Sequence, residues 1–251
     1  MKKVLTAFLM ASSLAMVTAC ADVPTDPEDR AEFETLNDPL EPMNRAVFGF
    51  NMRADKLVLK PIAEGYRTVT PETAQKGVHN VLNNLRSPMV FVNDVLQGEA
   101  DRAAQTMVRF MINSTMGLGG LIDVVAYNGG PRFHEEDVGQ TLAVWGISEG
   151  PYLMLPLFGP SNPRDAFGSV CEFVADPTDL VLANNDLEWV SWTRLGLETI
   201  DNRVQLLDPL DELERSSLDF YAAVRSVYRQ RRANLITNHD VSLSDSFKGA
   251  K

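Results

Sequence analysis

Residues 138–163 read VGQTLAVWGISEGPYLMLPLFGPSNP, and Glu149 is the only formal charge in that stretch. Leu142, Val144, Trp145, Ile147, Tyr152, Leu153, Met154, Leu155, Leu157 and Phe158 make it strongly apolar. Gly139, Gly146, Gly150 and Gly159 interrupt it, as do Pro151, Pro156, Pro160 and Pro163. Prolines at this density forbid a continuous helix, because each removes a backbone donor and clashes with the preceding turn. The stretch is therefore not a spanning helix despite its length. A second uncharged run, FMINSTMGLGGLI at residues 110–122, is broken by Gly117, Gly119 and Gly120. Apolar runs of this size fit a buried core or an interfacial segment. Irregular backbone at membrane depth survives only where protein covers it or a wet cavity lies beside it.

The flanking sequence is helical in rhythm. Asp38-Pro39-Leu40-Glu41 is a helix-start signal. Met43, Val47, Phe50, Ala54 and Leu57 follow at spacings of three and four, and Pro61 is expected to end that helix. A helix is expected over 71–85, another from Ser87-Pro88 to Gly98, and a third over 101–113 that stops by Gly117. Trp189, Trp192, Leu195, Ile200 and Leu206 mark a helix over about 186–207. A last helix opens near Ser216 and Asp219 and carries Phe220, Tyr221, Val224, Val227 and Tyr228. Arg229, Arg231 and Arg232 at its end read as a solvated terminus favoured by the helix dipole. No βαβ rhythm and no internal repeat are present. The fold class is all-α, a single compact multi-helix domain with apolar segments broken by Gly and Pro.

Of the 251 residues, 23 are Lys or Arg and 34 are Asp or Glu, a net charge of −11. That balance argues against nucleic-acid binding, which needs clustered cations, and against docking on anionic lipid by charge. The N-terminus departs from this globular composition. Met1-Lys2-Lys3 precedes an uncharged segment over Val4–Ala19, which reads as a secretory signal peptide over residues 1–19. Val17-Thr18-Ala19-Cys20 resembles the bacterial lipoprotein box. The resemblance implies cleavage before Cys20 and lipid on its sulfur and amino group, giving a stable anchor. Ala21, where an Asp would hold such proteins at the inner membrane, is compatible with the outer membrane. Residues 20–37 are polar, acidic and proline-containing and read as the lipidated end and a flexible tether. Residues 237–251 read as a polar disordered tail. The helical domain is expected over 38–236. With Cys20 acylated, Cys171 reads as a small core residue.

Familiar catalytic signatures are absent. There is no Gly-x-Ser-x-Gly elbow and no P-loop. Gly117-Leu118-Gly119-Gly120 reads as a bend or a tight helix contact. His79, His134 and His239 are not spaced as metal ligands, and His134-Glu135-Glu136-Asp137 reads as an exposed acidic loop in preference to a metal cluster. No metal and no cofactor are expected. Asp123, Arg164 and Asp165 stand beside the apolar runs, either lining a polar passage or forming ion pairs and caps.

Asn37-Asp-Pro-Leu-Glu-Pro-Met-Asn-Arg45, with Phe48-Gly-Phe-Asn51 and Asp55, resembles the opening signature of the MlaA (VacJ) lipoproteins. The resemblance continues through Lys60-Pro-Ile-Ala63, Arg109-Phe110, Gly117-Leu-Gly-Gly-Leu-Ile-Asp123 and Gly139-Gln-Thr-Leu142. Gly150-Pro-Tyr-Leu153, Arg164-Asp165 and Gln205-Leu-Leu-Asp208 extend it, so it covers roughly residues 37–235. It implies a ring of helices partly embedded in the periplasmic leaflet of the outer membrane, lipid-anchored and held against a trimeric porin. It implies removal of phospholipids misplaced in the outer leaflet through an amphipathic channel, with delivery to a soluble periplasmic carrier and no enzymatic step. It makes Asp123, Arg164 and Asp165 candidate channel or headgroup contacts, and Phe48, Gly49, Phe50 and Asn51 a candidate gating segment, although Gly49 replaces a polar residue expected there. Two other readings compete: a structural lipoprotein without a channel, and a lipid hydrolase.

Overall fold

The computed structural model describes residues 37–238. The signal peptide, Cys20, the tether up to residue 36 and the tail from His239 onward lie outside the described residues. The chain divides into two units, one built from residues up to Ala54 together with Glu149–Pro163, the other from Asp55–Ser148 and the residues from Arg164 onward.

In the first unit a helix α1 (Glu41–Ala54) packs on an antiparallel hairpin of β1 (Leu153–Leu155) and β2 (Gly159–Ser161). The register pairs Leu153 with Ser161, Met154 with Pro160 and Leu155 with Gly159. This hairpin is the strand pair that helical periodicity did not anticipate. Its three-residue strands are too short to show alternation, and Pro160 is tolerated because each strand has a free edge. Two asparagines seven residues apart on α1 tie the hairpin down. Asn44, fully buried, donates to Tyr152 O (3.0 Å) and to Asp38 Oδ1 (2.7 Å), and accepts from Met154 N (2.9 Å). Asn51 donates to Leu155 O (2.9 Å) and accepts from Leu157 N (2.8 Å). Leu157 sits in the hairpin turn at φ 67°, and it and Phe158 form an exposed apolar tip.

The second unit opens with a π-helical segment (Asp55–Leu59), which leads into α2 (Lys60–Val69). Pro61 was expected to end the first helix; the helical path continues through it instead. The π turn restarts the α-helix at Lys60, so Pro61 falls in the first turn, where its missing N–H costs nothing. α3 (Glu72–Gln97) is likewise one helix where two were expected, with Pro88 inside it. Packing against α4 (Ala100–Thr115), α6 (Val138–Val144), α8 (Pro177–Ala183) and α9 (Glu188–Gln205) holds its two halves in line. Between α4 and α6 lies one turn, α5 (Val124–Tyr127), and α7 (Pro163–Ala175) precedes α8. α10 (Leu207–Ser216) and α11 (Phe220–Ile236) complete the unit, with Asp219 capping α11 through the Ala222 amide.

Two close approaches place the charged residues discussed below. A Cβ on Gly168 of α7 would lie 2.5 Å from Gly139 N on α6, so that crossing requires glycine. Gly120, at φ 95°, leaves the space that a Cβ would fill 2.5 Å from Asn84 Cβ of α3. The Gly117–Gly120 run is thus a bend seated on α3.

Burial is inverted relative to an ordinary globular core. Among the described residues, thirteen hydrophobic side chains are buried against twenty-four polar or charged ones, while thirty-two large hydrophobic side chains are exposed. On α3, Asn93 and Asp94 are buried, and Val92, Val95 and Leu96 are exposed. On α4, Thr106, Arg109 and Asn113 are buried, and Val108 and Met111 are exposed. The apolar stripe that reveals α1 in the sequence likewise points outward at Phe50 (51% exposed), and the stripe's Leu57 in the π segment is 78% exposed.

Candidate functional site

The interior of the second unit is organised around charged side chains from successive helices. Asp55 accepts two hydrogen bonds from Arg203. On α9, Arg194 pairs with Asp176, the cap of α8, at 3.0 Å and with Glu198 at 3.0 Å. Arg232 of α11 bridges Asp137, the cap of α6, and Asp165 of α7. Arg164 Nε donates to Asp165 Oδ1 (2.9 Å), and the Tyr228 hydroxyl donates to Asp165 Oδ2 (2.7 Å). Gly139 makes room for this cluster, since a Cβ there would meet Arg232 Nη2 at 2.5 Å. Burial pushes the Asp137 carboxyl up, but the hydrogen bonds and charge of Arg232, with Gln140, bring it down to about 2. Burial and the nearby Asp137 charge push Glu172 up to about 7. Burial and then the Asp165 carboxylate push the Tyr228 phenol up.

This arrangement corrects two sequence expectations. Arg232 is buried and Arg231 is held 2.6 Å from Glu135, so the end of α11 is an interior ion-pair station rather than a solvated terminus. His134 and Glu136 are also buried, not part of an exposed acidic loop. His134 Nε2 lies 3.0 Å from Asp94 Oδ1, Thr106 donates to Asp94 Oδ2 (2.7 Å), and Glu136 accepts from Arg102 (3.0 Å) and Gln97 (2.7 Å). Ligand atoms of Asp94, His134 and Glu136 lie within 4.8 Å of one another. The Arg102 guanidinium already supplies the positive charge that such a set would ask of a metal ion, and it and Gln97 occupy both Glu136 oxygens. Cys171 carries a free thiol and is half-buried, so it is not the enclosed core residue its sequence context indicated.

A cavity of about 500 Å³ opens within this unit. α3 contributes His79, Asn80, Asn83 and Arg86; α4 contributes Arg102 and Gln105; α9 contributes Glu198, Asp201, Asn202 and Gln205. Asp123, Arg132 and Glu135 come from the connection between α4 and α6. Asp123 therefore lines the cavity, and it also caps α5 through the Ala126 amide (3.1 Å) while accepting from Arg109 (2.7 Å) and Asn113 (2.9 Å). Burial raises its carboxyl, but Arg109, the Ala126 amide and Asn113 together hold it below the usual range. Arg164 and Asp165 are buried in the Arg232 cluster and are not among the residues of the cavity wall. Phe48, Gly49, Phe50 and Asn51 lie on α1 in the first unit.

Sequence reasoning passed over Arg86, Arg132 and Asp201, and weighed His79 only as a metal ligand. One signal was present for Arg86: it is the single formal charge between Gly77 and Asn93. An isolated ionisable residue in such a stretch marks a functional position by default in a lipid environment.

Aqueous proteins bury apolar groups and expose charge, so a contiguous reversal signals an apolar surrounding or partner. α7 exposes Phe167, Val170, Phe173 and Val174 while burying Arg164 and Asp165, and α9 exposes Trp189, Trp192 and Leu195 while burying Arg194, Asp201 and Arg203. Among the described residues no helix is long and apolar enough to cross a membrane. The fold and site thus define a helical membrane-interface protein with a polar interior. The chain belongs to the MlaA lipoprotein family, whose model matches residues 36–235. It is 35% identical over 230 residues to the intermembrane phospholipid transport system lipoprotein MlaA of Escherichia coli, covering 88% of this chain and 85% of that one. It is 36% identical over 200 residues to an uncharacterised protein of Rickettsia prowazekii, covering 79% and 78% respectively. A chain solved in work on the structural basis for maintenance of bacterial outer membrane lipid asymmetry matches with a TM-score of 0.68 at 36% identity, covering 79% of this chain and 98% of that one.

Proposed function

We infer that this protein is an outer-membrane lipoprotein that removes phospholipids misplaced in the outer leaflet and passes them towards the cell interior, maintaining lipid asymmetry. The observation that carries the reading is the inverted burial: apolar helix faces outside and ion-paired charges inside. Such a body sits among acyl chains while offering a lipid headgroup a polar interior. Family membership supplies the lipid-transport class, since the Escherichia coli relative is a phospholipid transport lipoprotein.

The finer assignments follow from the same reading. Cys20 carries the lipid anchor on the periplasmic side. A trimeric porin covers part of the apolar surface, and a soluble periplasmic carrier receives the lipid. No bond is made or broken, so the protein is not an enzyme. Asp123 contacts the headgroup from the cavity wall; Arg164 and Asp165 act through the Arg232 cluster that shapes the interior; Phe48–Asn51 forms the gating segment.

The test is a clean deletion, followed by labelling of surface phosphatidylethanolamine with an amine reagent that does not cross the membrane. The reading expects increased labelling and sensitivity to detergent, restored by the intact gene but not by a Cys20→Ala copy. An unchanged outer leaflet in the deletion contradicts it.

A further inference from the structure

Every carboxylate on the wall of the 500 Å³ cavity already has a protein partner. Asp123 is held by Arg109 and Asn113, Glu135 by Arg231, Glu198 by Arg194, and Asp201 by His79 and Gln205. Arg102 is likewise committed to Glu136. Arg86 and Arg132 differ. Each lines the cavity, and among the described residues neither has a hydrogen-bond or ion-pair partner; Arg86 acts on Glu135 and Glu172 only through space. Arg86 is half-buried and Arg132 exposed. The wall therefore carries two uncommitted positive charges in a chain whose net charge is −11.

We propose that Arg86 and Arg132 receive a phosphodiester anion in this cavity, the phosphate of a phospholipid headgroup. The proposal rests on the lipid-transport reading above and names the chemistry by which that site takes its cargo. A guanidinium presents a planar fork of donors that matches two phosphate oxygens at once, and such charge-assisted pairs are the strong ones. The cavity volume falls in the range of about 300–1,000 Å³ typical of sites for small organic molecules. Exposed Arg132 meets the phosphate first, and half-buried Arg86 holds it further in. The side chains of Gln105 and Asn202, which make no hydrogen bond among the described residues, add neutral donors to the wall. Asp123, Glu135 and Glu198 repel the phosphate less than free carboxylates would, because each is paired with an arginine, Arg109, Arg231 and Arg194 respectively; Asp201 is engaged by His79 and Gln205.

The experiment uses the full-length lipidated protein in a non-ionic detergent. Its affinity is measured for dihexanoyl phosphatidylglycerol, for dihexanoylglycerol, which lacks the phosphate, and for inorganic phosphate. Wild type is expected to prefer the phospholipid to the diacylglycerol. Arg86→Gln and Arg132→Gln are each expected to weaken phospholipid binding about tenfold, the loss of one charge-assisted contact, and to leave diacylglycerol binding unchanged. Arg86→Lys, which keeps the charge without the fork, should fall between and serves as the readout if the Gln variant fails to fold.

Equal wild-type affinity for phospholipid and diacylglycerol would overturn the proposal while leaving the lipid reading intact. An undiminished phospholipid affinity in the doubly substituted chain would also overturn it. Loss of both lipids together, with unchanged thermal unfolding, would assign the arginines to shaping the cavity and overturn phosphate recognition. Inorganic phosphate binding that depends on both arginines, with phospholipid binding unaffected by them, would assign the site to free phosphate. Failure of wild type to bind either lipid would overturn the proposal and the lipid-transport reading together.

Discussion

Arg203 grips Asp55 through two parallel hydrogen bonds, Nε to Oδ1 at 2.6 Å and Nη2 to Oδ2 at 2.9 Å, across 148 residues of sequence. The pair closes the π-helical segment against α9, and both residues are buried. Removing one partner strands a buried charge, which costs about 3–5 kcal/mol. Arg203→Met is therefore expected to lower the denaturation midpoint sharply. Arg203→Met combined with Asp55→Leu is expected to recover most of the loss, because an apolar pair of similar volume leaves no charge unpaired. Denaturant titrations followed by circular dichroism measure both; a double variant no better than the single one would contradict the ion-pair account.

The hairpin depends on Asn44. Its side chain serves Tyr152 O, Asp38 and Met154 N at once, from a fully buried position. Asn44→Ala removes one hydrogen bond from each of these groups, and a buried group left unsatisfied costs about 1–3 kcal/mol. Hydrogen exchange at Met154 is expected to accelerate strongly. Asn51→Ala, at a half-exposed site, should loosen only the turn around Leu157. Equal, unchanged exchange in both variants would show that the hairpin holds by itself.

Stability should fall with rising pH in one window and rise in another. Glu172, pushed up to about 7 in the folded chain from an ordinary 4.5, keeps its proton longer folded than unfolded. Its contribution is fully present below about pH 4.5 and is lost as pH rises to about 7, at most about 3 kcal/mol. Glu172→Gln is expected to flatten that slope, leaving the variant the more stable chain above pH 7. Asp137 acts oppositely: held down at about 2 by Arg232, it contributes stability above its ordinary 3.8 that disappears as pH falls from there towards 2. Thermal midpoints from pH 2 to 8 in wild type and Glu172→Gln read both windows.

The crossing of α6 and α7 leaves no space for a side chain at Gly168, where a Cβ would lie 2.5 Å from backbone nitrogen. Gly168→Ala is expected to separate the two helices and disturb the Asp137–Arg232–Asp165 cluster, although alanine is the better helix former. A drop in thermal midpoint checks this, and a gain would show that the crossing is not tight.

The positions of α1, α3, α4, α9 and α11 were legible in the sequence, because apolar residues three and four apart reveal a helix whichever way the stripe points; α2, α5 to α8 and α10 were not anticipated. Which way it points was not legible. Met43, Val47, Phe50 and Leu57 look the same whether they face a core or a lipid tail, and only the placement of Asn44 and Asp55 inside shows the reversal. Pro61 and Pro88 misled for a local reason: breaking rules hold for an isolated helix, whereas a π turn and packing along α3 absorb the two prolines. The cavity was legible in one member, Asp123. Arg86 and Arg132 carry no local motif and become significant only when the partners of all other wall charges are known.

All three tryptophans, Trp145, Trp189 and Trp192, are exposed, at 56%, 65% and 65%. Their fluorescence therefore reports directly on what surrounds the apolar exterior. The lipidated protein reconstituted into vesicles of phospholipid brominated on its acyl chains should lose most of its emission, while aqueous iodide should quench it weakly. Strong iodide quenching with no effect of the brominated chains would place these faces in water and contradict the lipid-facing account.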